Sequence, residues 1–243
     1  MRDKKLCVVN YITRNTWHPH GQARLKESLK RMRFEGSILL FDDNNLKCPS
    51  HNDIPYAFKF HALNEARKQG YEQLLWVDAS FWAVRNLEGL LEMICNKKVV
   101  VQNSGYSLGQ WVSDNCLKRM KMKREDAFKL PMFSGGLIGC DLSDEKTKLF
   151  FDEFFGYAKE GSCFRGAWRN RNGEVSSDKK VLGHRHDMSV GSILMHNRDI
   201  PIFPNNSFFA YYAWYQKYKT EKDLSNIYFV CEGGPRKLPL KRL

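Results

Sequence analysis

No two of the seven cysteines form a C-x-x-C pair and none stands at a zinc-ligand spacing; they are scattered at 7, 48, 95, 116, 140, 163 and 231. An odd, dispersed set argues against a disulfide framework and for reduced thiols in a cytosol-like compartment. No apolar run reaches the roughly 18 residues that a membrane span needs. The apolar stretch in "MRDKKLCVVNYI" is too short for a secretory signal. Internal repeats and low-complexity linkers are also missing, which leaves one domain as the expected organisation. A soluble, cytoplasmic protein is expected.

The chain has 243 residues, 42% of them hydrophobic and 13% aromatic, enough to bury a sizeable α/β core. Its formal charge is +12. Basic residues cluster in "KRMKMKR" (118–124), across 165–186 and in the tail "GGPRKLPLKRL". Such patches attract nucleic acid, anionic lipid or a phosphorylated small molecule, or simply solubilise a face. Composition does not choose among these.

Strand and helix signals alternate along the first half. "KKLCVVNYI", "GSILLFDD", "LLWVD" and "KKVVVQ" read as strands, and "TRNTWHPHG" as a loop. "QARLKESLKRM", with Leu25, Leu29 and Met32 in helical spacing, reads as a helix, as do "YAFKFHALNEARKQG", closed by Gly70, and 87–95. This order predicts a mixed, mostly parallel central sheet with helices on both faces, in one Rossmann-like domain. The second half is less regular. It shows a glycine turn into a strand at "FSGGLIGCDLS", an amphipathic helix at "EKTKLFFDEFFGYAKEG", a polar loop at 165–185 and a short helix at "HDMSVGSILMHN". The aromatic stretch 208–218 has three readings, core, acceptor-sugar platform or membrane contact, with core favoured.

In parallel sheets ligands sit at the carboxyl ends of the strands, where Asp42, Asp43 and Asp78 fall. A strand-end carboxylate suits a nucleotide ribose or a divalent metal, but such residues also cap turns. Trp76 and Trp82 beside Asp78 read as core rather than stacking platforms. The block "GHRHD" (183–187) packs His184, His186 and Asp187 near a helix start. It suits a metal site, a proton-transfer pair or ligands for sugar hydroxyls.

Three segments, "PYAFKFHALNEARKQGYEQLLWVDAS", "FSGGLIGCDLS" and "GHRHDMSVGSIL", together resemble the GT-A class of nucleotide-sugar glycosyltransferases. More narrowly they resemble transferase-like proteins with a Trp-x-Asp-Ala/Ser strand end and a Gly-His-Arg-His-Asp-Gln-Ser block. Order and spacing match over about residues 50 to 200, with Met188 where glutamine is usual. The resemblance implies a single GT-A-like domain, with a nucleotide-binding half at 1–103 and an acceptor and catalytic half at 104–243. It implies transfer of a sugar from a nucleotide-diphosphate sugar, UDP by default, to a hydroxyl of a glycan, lipid-linked or protein-linked acceptor.

Residue by residue, the resemblance puts Asp78 at the start of a D-x-D motif that holds ribose and a metal, Mn²⁺ or Mg²⁺. Ser80 replaces the second carboxylate. The segment "VCEGGPRKL" is similar to the H-x-G-x-x-K-P-W segment of glycogenin-like transferases, with Cys231 at the metal-binding histidine and Lys237 near the phosphate-binding lysine. Both departures speak against a metal, since hydroxyl and thiol are poor ligands for a hard cation. Lys59, Arg185, Arg236 and Lys237 are instead candidates to neutralise the leaving diphosphate. Thr13 and Arg14 fall where the base is held, Asp42 near base or ribose, and Gly135 and Gly136 at the donor-sugar pocket. Asp187 is the candidate base for the acceptor hydroxyl if the reaction inverts, and His186 the second. A retaining outcome would need only a differently placed carboxylate or a backbone carbonyl near the reacting carbon.

Two other classes stay open. One is a nucleic-acid binder, or a nuclease using Asp42, Asp78 and Asp187, although no basic-aromatic recognition module is visible. The other is a degenerate transferase that only binds, favoured by the missing carboxylate. The basic tail is a candidate for peripheral membrane contact.

Overall fold

A computed structural model describes residues 6–220 and 224–234. The first half alternates strand and helix: β1 (Cys7–Ile12), α1 (His18–Arg31), β2 (Ser37–Asp42), α2 (Phe58–Lys68), β3 (Gln73–Val77), β4 (Phe81–Ala83), α3 (Glu88–Lys97) and β5 (Val99–Val100). Then come β6 (Asn103–Ser107), α4 (Asp114–Arg119), α5 (Arg124–Lys129), β7 (Pro131–Phe133), β8 (Leu137–Asp141), α6 (Glu145–Glu160) and α7 (Asp187–Asn197). The last elements are β9 (Phe209–Tyr211), α8 (Tyr212–Tyr218) and β10 (Phe229–Cys231).

Side chains alternate across a strand, and here each face has its own core. Cys7 and Val9 of β1, with Leu74 and Trp76 of β3, join one apolar cluster. That cluster is covered by Phe60 and Leu63 of α2, Phe150 and Phe154 of α6, and Val190 and Ile193 of α7. Val8, Leu75 and Val77 point the other way, onto Leu25 and Leu29 of α1 and Leu90 and Ile94 of α3. Burying each such leucine or isoleucine contributes about 1.5–3 kcal/mol, so helices are fixed on both faces by the strand alternation itself.

The central sheet has the order β2-β1-β3-β8-β5. Its first two pairings, β1 with β2 and β1 with β3, are parallel, whereas β8 runs antiparallel to both β3 and β5. Four of the five strands therefore run the same way and only β8 is reversed, the mixed, mostly parallel sheet expected. The reason is the entry point of β8. Its chain turns through Gly135 and Gly136 at the carboxyl end of β3, where the Asp78 amide donates to the Gly136 carbonyl at 2.9 Å, and must run back along its neighbour. A smaller sheet, β4-β10-β9, closes one side, and β6 pairs with β7.

Two expectations are corrected. The helix expected from Gln22 begins at His18, because Pro19 falls in its first turn, where a missing N–H costs nothing. In the aromatic stretch only Phe208, Phe209 and Ala210 are buried; α8 has no buried residue and Tyr211 is 61% exposed. By contrast Gly70, at φ +89°, ends the α2 segment as expected. No described helix is long and apolar enough to cross a membrane.

Candidate active site

Asp78 leaves β3 at its carboxyl end and turns at once, since the Phe81 amide donates to the Asp78 carbonyl at 3.1 Å. Trp76 is fully buried core, and its indole N–H also donates to Asp78 Oδ1 at 2.7 Å. The strand's alternation thus aims one tryptophan into the core while its edge holds the carboxylate. Two helices then deliver the partners. Lys59 sits in the first turn of α2, with Nζ 3.5 Å from Asp78 Oδ1 and 2.9 Å from Asp187 Oδ2, and it donates to the Gly135 carbonyl at 2.7 Å. Asp187 opens α7, where a carboxylate suits the positive end of the helix dipole. The Lys59 and Asp187 side chains are 3% and 2% exposed, against 32% for Asp78.

Burial alone would push the Lys59 ammonium down, but Asp187 and Asp78 outweigh it and hold its pKa above the usual lysine range. Burial raises Asp78, and the nearby Asp187 adds to that; Lys59 and Trp76 act in the opposite direction. Lys59 is therefore a fixed cation between two carboxylates. Gly135 and Gly136 make this approach possible. A Cβ at 135 would lie 2.6 Å from Asp187 Oδ2 and 3.1 Å from Lys59 Nζ, and one at 136 would strike the Phe81 ring at 2.7 Å.

Two cavities meet at this centre. The first, about 390 Å³, lies over the ends of β1 and β3 and is lined by Tyr11, Thr13, Trp17, His18, His51, Tyr56, Asp78 and Ser80, among others. Helix α1 packs directly on its floor: a Cβ at Gly21 would lie 2.2 Å from the Ala79 carbonyl. The amino end of α1 consequently opens on this cavity. The second cavity, about 450 Å³, contains Lys59, Gly135, Gly136, Arg185 and Asp187, and shares Tyr56, Asp78 and Ser80 with the first.

Of the residues singled out in the sequence, the fold brings Thr13, Lys59, Asp78, Ser80, Gly135, Gly136, Arg185 and Asp187 to these walls. It sets others apart. Arg14 donates from Nε and Nη2 to Asp42 Oδ2 at 2.9 and 2.6 Å, and Asp42 also accepts the Asn44 and Asn45 amides. Neither lines these two cavities, and Asp43 is exposed. Asp42, Asp78 and Asp187 do not form a three-carboxylate cluster. Arg236 and Lys237 lie outside the described residues.

The histidines of "GHRHD" are committed to structure. His184 Nδ1 accepts the Ser113 amide at 3.2 Å, so its Nε2 donates to the Cys163 carbonyl at 2.9 Å. His186 Nδ1 lies 2.8 Å from the Phe164 carbonyl, and the ring stacks on Tyr56 and Trp168 with centroids 5.5 and 5.8 Å away. Burial pushes His184 down to about 3 and His186 to about 4, so both are neutral at pH 7. Tyr56 and His186 both hold positive φ, +64° and +48°, a costly conformation for such side chains that clusters at functional sites. Nothing in the sequence announced Tyr56. Trp168 carried a faint signal as the one aromatic in the polar stretch 165–185.

A divalent metal does not fit this donor set. Among the described residues no three His, Cys, Asp or Glu side chains converge. The Cys231 thiol, pushed up to about 12 chiefly by burial, lies 3.4 Å from Ser80 Oγ, so the two substituted positions bond each other. Lys59 already stands beside the carboxylate that a metal would need.

Comparison with known proteins bears on the fold. No protein-family model matches the chain, and no curated protein matches it significantly in sequence. Among solved structures it is similar to the apo form of WbbM, a bifunctional glycosyltransferase, with TM-score 0.55, 14% identity and 97% of this chain covered. The chain spans 47% of that protein's length. It is similar to the galactosyltransferase LgtC, solved with donor and acceptor sugar analogs, at TM-score 0.52, 12% identity and coverage of 96% of this chain and 88% of that one. Mouse xyloside xylosyltransferase 1 gives TM-score 0.52 and 9% identity, covering 97% and 99% of the two chains. The chain therefore has the α/β fold of GT-A glycosyltransferases.

Proposed function

We propose that this protein transfers a sugar from a nucleotide-diphosphate sugar to a hydroxyl acceptor without a divalent metal. The observation that carries the reading is the junction of two cavities at Asp78, with the buried Lys59 joining it to Asp187. The first cavity takes the nucleoside: Tyr11, Trp17 and Tyr56 offer ring faces, and Asp78 accepts from a ribose hydroxyl. The diphosphate lies over Ser80, near the amino end of α1, where the positive end of the helix dipole favours anions.

The sugar enters the second cavity beside Gly135 and Gly136, where the absence of side chains lets it approach the carboxylates. As the bond from the anomeric carbon to the diphosphate breaks, negative charge grows on the leaving oxygen. The Lys59 ammonium is already oriented and needs no reorganisation to stabilise it. Asp187 faces the same cavity and is the group placed to act on the acceptor side, as base toward the incoming hydroxyl. His186 acts instead as a positioning residue, because its ring braces Tyr56 and it does not line the cavity.

Calorimetric binding of UDP, GDP, CMP, dTDP and their common sugars tests the reading. One nucleotide should bind at micromolar affinity, with and without EDTA, and Asp78→Ala should weaken it at least tenfold. Absence of binding by every nucleotide would remove the transferase assignment.

A further inference from the structure

The second cavity holds another cation whose surroundings differ from those of Lys59. The Arg185 guanidinium is clamped between the rings of Trp111 and Trp168, 3.7 and 3.5 Å from their centroids. The residue is 9% exposed and lines the cavity, yet its Nη1 is buried with no hydrogen-bond partner. Tyr106, Tyr56, Arg169 and His186 stand near it. Buried polar groups in folded proteins are nearly always paired. An arginine fixed in plane by two aromatic faces keeps its N–H edge free, and that edge matches the fork of a carboxylate or phosphate. Lys59, by contrast, has carboxylates beside it, Asp187 at 2.9 Å and Asp78 at 3.5 Å.

Around the same cavity stand Tyr106, Trp168 and Tyr211, exposed by 47%, 47% and 61%. A cluster of exposed rings at a cavity marks a binding surface. Flat rings with polar edges suit a pyranose, which offers an apolar C–H face and a hydroxylated rim.

We propose that this end of the cavity is the acceptor subsite, and that it selects a saccharide bearing an anionic group. Arg185 holds the carboxylate or phosphate through its free N–H edge, while Tyr106, Trp168 and Tyr211 pack against the sugar ring. The word acceptor rests on the transferase reading above; the anionic-saccharide site stands on the Arg185 geometry alone.

The test measures four ligands on the full chain by tryptophan fluorescence and saturation-transfer NMR: methyl β-glucuronide, glucose 6-phosphate, methyl β-glucoside and UDP. At least one anionic sugar should bind ten times more tightly than the glucoside, and the first two ligands separate carboxylate from phosphate as the preferred group. That preference should shrink as salt screens the guanidinium. Arg185→Gln should abolish the preference without abolishing UDP binding. If that variant does not fold, the preference of the wild type and its salt dependence decide alone. Equal binding of anionic and neutral sugars, or no saccharide binding at all, overturns the proposal. So does a variant that loses UDP while keeping the sugar preference, since the guanidinium would then serve the donor. If UDP does not bind but the glucuronide binds through Arg185, the anion site stands and the transferase reading falls.

Discussion

Replacing Lys59 by methionine keeps the unbranched apolar stem and removes one buried charge. Its ammonium lies 2.9 Å from Asp187 and 3.5 Å from Asp78. With an effective dielectric of ~20 these contacts are worth about 6 and about 5 kcal/mol before desolvation. Taking the ammonium out of water opposes them by several kcal/mol, and removing one partner of such a buried group costs about 3–5 kcal/mol net. For a chain of this size that is a fall in Tm of roughly 6–20 °C. The pH dependence follows from the shifts. Because Lys59 is raised in the fold, its contribution is complete below the ordinary lysine pKa of about 10.4 and is lost only as pH rises through the folded value. It is therefore fully present at pH 7. Asp78 is also raised, so its ionisation weakens the fold as pH climbs, and without Lys59 it is raised further. The deficit of Lys59→Met should narrow as pH falls from about 7 toward about 4, where carboxyls take up protons. Urea unfolding followed by tryptophan fluorescence measures both quantities. Adding Asp187→Asn to Lys59→Met should recover at least ~2 kcal/mol, a coupling expected of groups in contact. A deficit under ~1 kcal/mol, or one that is flat with pH, would refute the argument that this cation holds the two carboxylates together.

Gly135→Ala sets a methyl group 2.6 Å from Asp187 Oδ2; a displacement of that order at a reacting group costs about a hundredfold in turnover, measurable as release of nucleotide from the donor. Asp141 is buried at the opposite end of β8, where the Ser143 hydroxyl, the Lys98 ammonium and the Gln73 amide outweigh its burial and hold it below the usual carboxylate range. That contribution is present above pH ~4 and disappears as pH falls through the folded pKa. Asp141→Asn should cost about 2–3 kcal/mol at neutral pH and progressively less on acidification, by urea titration. His184 and His186 stay neutral in the fold down to about 3 and about 4, while the unfolded chain takes up both protons below pH ~6.5. Stability should thus decline from pH ~6.5 to ~4 with a slope approaching two protons, and a flat profile would contradict the burial of the pair.

The parts of this molecule with strong local periodicity were readable in advance. Leu25 and Leu29 on α1, the run Leu74–Val77, and the helix opening at Asp187 each follow from spacing, and Asp78 at the mouth of the sheet follows from where β3 ends. The direction of β8 was not readable, because a turn at Gly135 and Gly136 is compatible with either parallel or antiparallel entry, and β5 has only two residues. The start of α1 was masked by His18, Pro19 and His20, which resemble a loop until one asks which N–H groups a first turn leaves unused. The aromatic walls escaped for a different reason. Tyr106 comes from β6 and Tyr56, Trp111 and Trp168 from separate connecting segments, and only tertiary packing gathers them around Arg185 and His186. Lys59 was visible as a basic residue on a helix. That it would be buried between two carboxylates depends on Asp187 arriving from more than a hundred residues away.

Release of nucleoside diphosphate from a panel of UDP-, GDP- and dTDP-sugars, followed in EDTA with the full chain and with Asp187→Asn, tests the central claim most directly. The geometry around Lys59 predicts that one donor is turned over in EDTA at a rate unchanged by Mn²⁺, and that Asp187→Asn lowers that rate at least a hundredfold. No turnover of any donor, or turnover that appears only when Mn²⁺ is added, would contradict it.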